Sequence, residues 1–84
     1  MSTETRTYRY QPPSTGEIED FYPAPEHVQF RIRHDGPGYA ISYRLSGMKR
    51  FATWGRGLLP PALVWERIEA MTQVGERVPD RAFA

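Results

Sequence analysis

Arg31, Arg33, Arg44, Lys49 and Arg50 crowd five positive charges into a stretch of twenty residues. Guanidinium and ammonium groups so arranged suit the phosphate backbone of a nucleic acid. Phe51 and Trp54 follow directly. An aromatic among cations adds a platform on which unpaired bases stack. A solvated outer sheet face with ordinary surface arginines accounts for the same pattern, because such faces are routine in half-buried sheets.

A second candidate lies upstream in Glu17-Ile18-Glu19-Asp20-Phe21-Tyr22. Glu19 and Asp20 could steer a partner electrostatically, with Phe21 and Tyr22 as anchors. The same aromatics could instead fold back as cover for a small core. These acids lack the spacing and the glycine of a calcium loop.

Catalytic signals are weak. His27 and His34 are the only histidines, neither at a metal-ligand spacing. No serine sits in a nucleophile-elbow context. His34 and Asp35 are chain neighbours, which seldom acquire triad geometry. Gly55-Arg56-Gly57 invites a phosphate-loop reading, but Pro60 and Pro61 remove the N–H donors an anion would need. The expectation is a non-enzyme with no cofactor and no metal.

The elements that position these residues follow from periodicity. Val28, Phe30 and Ile32 alternate with Gln29, Arg31 and Arg33, and Tyr39, Ile41, Tyr43 and Leu45 alternate with Ala40, Ser42 and Arg44. A period of two marks half-buried strands. Strands are expected near His27–Arg33, Tyr39–Leu45 and Lys49–Trp54, with turns at Asp35–Gly38 and Ser46–Met48. A two-residue second turn sets Tyr43 opposite Arg50, Ile41 opposite Ala52 and Tyr39 opposite Trp54. The outer face then carries Arg31, Arg33, Arg44, Lys49 and Phe51. A three-residue turn puts Phe51 inside and Arg50 and Trp54 outside.

A helix is expected from Pro61 to Val74. Proline suits its first turn, and Gly75 suits its stop. Val64, Ile68 and Met71 form a narrow apolar stripe. Trp65 flanks it on one side, Leu63 and Val74 on the other. Glu66, Glu69 and Gln73 face away.

The fold class expected is thus α+β: a three-stranded antiparallel meander with one C-terminal helix on its apolar face and an extended N-terminal arm. Residues 1–26 are read as that arm, partly disordered, with the first sixteen dispensable to stability. Residues 27–79 form the single domain and residues 80–84 a tail. Thr5–Tyr10 has strand-like composition but is cut off by Gln11-Pro12-Pro13-Ser14-Thr15-Gly16.

A meander followed by a helix, with basic residues on the open face, resembles in outline the small sheet-type DNA readers. Among these are the arm-binding domains of phage-type integrases. The resemblance covers element order and charge, and it implies strands placed in the major groove.

Composition bounds the rest. Net charge is +1, but residues 27–57 carry five arginines and one lysine against one aspartate, while the flanks are mildly acidic. Cysteine is absent, so no disulfide supports the small core. No apolar run reaches membrane-spanning length, and Met1–Tyr10 lacks the apolar segment of a signal peptide. The expected location is cytoplasmic, away from membranes. The function expected is a small binding or regulatory protein that docks on another macromolecule, foremost a protein, as accessory and inhibitor proteins of phages and mobile elements do. The alternative is a nucleic-acid-binding module using the basic sheet face. Homo-oligomerisation through the apolar helix flank is a third class.

Overall fold

The structure, a computed structural model, describes residues 3–11, 25–58 and 60–83. Among them run β1 (Thr3–Arg9), β2 (His27–Asp35), β3 (Gly38–Leu45), β4 (Ala52–Gly57), α1 (Pro61–Thr72) and β5 (Arg77–Val78), then a 3₁₀ turn at Asp80–Phe83. The strands form one antiparallel sheet in the order β4-β3-β2-β1-β5. The protein is therefore α+β, with an antiparallel sheet and one helix.

The expected meander supplies β2, β3 and β4 of a five-stranded sheet. The largest correction concerns residues 3–9, which are an inner strand rather than part of an arm. β1 pairs along its whole length with β2, from Thr3 opposite Arg33 to Arg9 opposite His27. Its other side receives β5. Thr7 and Tyr8 are among the most buried residues described. Thr5, Arg6 and Thr7 look too polar for such a place. They fit because strand alternation gives the threonines to one face and Arg6 and Tyr8 to the other. The tail expected at 80–84 is likewise engaged: its 3₁₀ turn packs beside β1 and β2.

β2 and β3 form the hairpin expected from Asp35-Gly36-Pro37-Gly38. Gly36 has φ 63°, and the Pro37 ring fixes a negative φ after it, which is the pattern of a type II′ turn. The next connection departs from both expected registers. Tyr43 pairs with Ala52 and Tyr39 with Gly57. Lys49 and Arg50 lie in the loop, not in a strand. The loop folds on itself, with Met48 N–H donating to the Leu45 carbonyl at 2.9 Å. In addition, Ser42 pairs with Thr53 and Ile41 with Gly55, so Trp54 is the extra residue of a bulge. A longer loop and a bulge each shift the register, and neither has a signature in residue types alone.

α1 covers the inner face. Val28, Phe30, Ile32, Tyr8 and Tyr39 meet Val64, Trp65 and Ile68 there in one buried cluster. Each such side chain contributes about 1.5–3 kcal/mol on burial. The buried stripe is rotated from the expected one: Trp65 is in the core, while Met71 is 66% exposed. The added strand explains this. With β1 in the sheet, the middle of the inner face moves away from β4, and Trp65 turns toward Arg6. α1 ends on Gln73, which has φ 49° and whose N–H donates to the Glu69 carbonyl at 3.0 Å. Gly75, the expected stop, has another task. Its N–H donates to the Arg9 carbonyl at 2.9 Å, and a Cβ there would lie 3.1 Å from Arg9 Cβ. The close approach that starts β5 therefore favours glycine.

Candidate functional site

The outer face of the sheet is laid out in rows fixed by register. Thr3, Arg33, Ala40 and Arg56 stand abreast across β1 to β4. Thr5, Arg31, Ser42 and Thr53 form the next row, and Thr7, Gln29 and Arg44 the third. Arginines thus alternate with small or hydroxylated neighbours, and no acid stands in these rows.

Phe51, just before β4, ties two rows together. The Arg31 guanidinium lies 4.1 Å from its ring centroid and that of Arg44 lies 4.9 Å away. Arg44 also stacks on Phe83 at 4.4 Å. Stacking occupies the planes of the guanidinium groups and leaves the N–H edges of Arg31 for anions. A hydrogen-bond chain holds the platform. Arg44 Nη2 donates to Gln29 Oε1 at 2.8 Å, Gln29 Nε2 to Thr7 Oγ1 at 3.1 Å, and Thr7 Oγ1 to Asp80 Oδ1 at 2.9 Å. Arg44 Nε is buried without a hydrogen-bond partner.

Arg31, Arg33 and Arg44 therefore share one face, as the alternation predicts. Lys49 and Arg50 are exposed in the loop that leads to Phe51. Among the described residues none of these five cations is in an ion pair. The ion pairs lie elsewhere, Arg6 with Glu4 and Glu69, and Arg9 with Glu76. Glu19, Asp20, Phe21 and Tyr22 lie outside the described residues. The sequence reading missed Thr7, Gln29, Asp80 and Phe83. The period-two threonines at 3, 5 and 7 were the available signal for the first. Alternation already put Gln29 on the face of Arg31 and Arg33, and nothing local marks Asp80 and Phe83.

A second surface lies along the open edge. Trp54, Leu58, Leu63 and Met71 are the exposed large apolar side chains among the described residues. All four stand on β4, directly after it, or on α1. A groove of about 390 Å³ runs between the two elements, with Ile41, Val64 and Ile68 at its base and Arg56 and Arg67 also lining it. Trp54 leans on Phe30 with ring centroids 5.5 Å apart. Among the described residues β4 has no neighbour on its far side.

Ionisation is perturbed on the inner side. Burial pushes the Tyr8 phenol above its usual range, opposed by Arg6 and reinforced by Glu69. No hydrogen bond of good geometry reaches the buried Tyr8 hydroxyl. Burial works against the charge on Arg6, yet its contacts with Tyr8 and Glu4 leave it raised. The histidines are structural in their contacts. His34 packs edge-on against Tyr39 at 4.7 Å, and the His27 backbone exchanges hydrogen bonds with Ser46.

Comparison with family models, curated proteins and solved structures finds no match to this chain. Among the described residues no helix is long and apolar enough to cross a membrane, and no group of three or more His, Asp or Glu could hold a metal ion.

Proposed function

We propose that this chain is a small non-catalytic docking protein whose partner is another protein. The observation that carries this reading is the groove between β4 and α1, lined by the exposed Trp54 and Met71 together with Ile41, Val64 and Ile68. Exposed apolar side chains beside a strand with no neighbour among the described residues are what a strand-adding partner covers. Arg67 lines the groove and no acid among the described residues does, so the complementary segment is extended, apolar and acidic. A photo-reactive residue at position 71 tests this in extract of the native cell, with one at position 66 as control. Both positions are exposed on different parts of α1. A discrete adduct with another protein is expected from position 71 alone, lost when Trp54→Ala is added. Adducts of equal yield from both positions, or only with a second copy of this chain, would overturn the reading.

A second reading, nucleic-acid binding by the outer face, is favoured by a separate observation. Arg31 and Arg44 are fixed on Phe51 and are free of ion pairs among the described residues. Fixed, uncompensated guanidinium groups lose little entropy on meeting phosphate.

A further inference from the structure

We infer that the outer face takes single-stranded rather than duplex nucleic acid, along the line Arg33, Arg31, Arg44. This rests on the second reading above and is independent of the apolar edge.

Three features argue for a single strand. The first is width. Four full strands at about 4.8 Å spacing, with their side chains, exceed the roughly 12 Å major groove, which admits only a helix or a two-stranded ribbon.

The second feature is spacing. Arg33 and Arg31 are two residues apart on β2, so their stems stand about 7 Å apart on one face. Arg44 is diagonal to Arg31, because Arg31 pairs with Ser42 and Gln29 with Arg44. Diagonal neighbours are separated by about 7–8 Å. The three cations form a nearly even ladder, comparable to successive phosphates of an extended strand. Ala40 and Ser42 between them are small enough to let the backbone come close.

The third feature is the platform. Unpaired bases stack on aromatic rings and on guanidinium planes, surfaces that a duplex does not engage. Phe51 and Phe83 supply the rings, set beside the guanidinium groups of Arg31 and Arg44. The Gln29–Thr7–Asp80 chain holds Arg44 before any ligand arrives.

The test is fluorescence anisotropy with the full chain and a labelled oligonucleotide, single-stranded or as a duplex of equal length. With three to four phosphates engaged, single-strand affinity should fall roughly 20- to 50-fold between 50 and 200 mM salt. Arg33→Gln should weaken binding about tenfold or less and flatten the salt slope by about 0.7. Arg77→Gln removes the same charge from β5, at the position paired with Tyr8 and so away from the outer face, and should change little. Phe51→Leu keeps every charge, so it should weaken binding several-fold with the salt slope unchanged. Circular dichroism of each variant checks that the fold persists.

Equal affinity for duplex and single strand would overturn the inference while leaving nucleic-acid binding in place. No binding to either probe at 50 mM salt would overturn both. Equal binding to polyglutamate would show a general response to polyanions and would likewise overturn both.

Discussion

The two faces of the sheet are built from the same strands and solve different problems. On the inner face, Tyr8, Val28, Phe30, Ile32 and Tyr39 lose nearly all contact with solvent beneath α1. On the outer face, Arg33 stays exposed, Arg31 and Arg44 are half-buried, and the side chains of Thr7 and Gln29 are covered, at the end where the 3₁₀ turn packs. The inner face is held by non-directional burial. The outer one is held by directional contacts, four hydrogen bonds or stacking contacts made by Arg44 and Gln29. The lesson is that stability should reside mainly inside, while the geometry of the cations depends on a few polar links outside.

The sharpest way to break this comparison is to remove β1. Deleting residues 1–10 takes Tyr8 from the core, Thr7 from the outer network and the partner strand from both β2 and β5. The expected outcome is loss of cooperative folding, read as absence of a thermal transition. A truncated chain that melts like the full one would show that β1 is dispensable.

Within the intact sheet, Ile68→Ala should cost about 2–5 kcal/mol in urea melts, since the side chain is 2% exposed at the centre of the inner cluster. Glu66→Ala on the exposed side of α1 should stay within about 0.5 kcal/mol. Equal losses at these positions would place the helical phase elsewhere.

The outer network predicts a smaller effect. Thr7→Val keeps the shape but removes the hydroxyl between Gln29 and Asp80. Leaving the buried Gln29 amide without that acceptor should cost about 1–3 kcal/mol. Arg33→Gln on the same face should cost within about 0.5 kcal/mol, being exposed and unpaired among the described residues. A reversed order in the same melts would mean that the exposed ladder, not the covered network, carries outer-face stability.

Tyr8→Phe gives the smallest effect at neutral pH. The hydroxyl it removes is buried without a good hydrogen bond, so the change should be near neutral or stabilising. At high pH the sign is set by linkage. The folded phenol holds its proton more tightly than the unfolded one. Above an unfolded pKa of about 10, the unfolded chain therefore releases that proton first, and stability falls as pH rises. Tyr8→Phe should remove that part of the fall, measured by melts at pH 8 and pH 11. An identical decline in both proteins would locate the titration elsewhere.

Alternation by itself determined β2, β3 and the sharing of one face by Arg31, Arg33 and Arg44, because strand periodicity is local and fixes direction residue by residue. Pro60, Pro61 and the Val64–Ile68 spacing likewise determined that a helix follows the sheet. Only the tertiary structure decided that Thr3–Arg9 is an inner strand, since its polar residues become acceptable once β2, β5 and the 3₁₀ turn satisfy or cover them. Pairing partners far apart in sequence leave no local trace, and so the bulge at Trp54, the rotation of α1 toward Arg6 and the meeting of Phe51 with Phe83 across Arg44 were invisible beforehand. Residue types set which side chains could face solvent or core. The long-range pairing of β1 set where the middle of the sheet lies, and with it which apolar residues the helix covers and which it leaves at the edge.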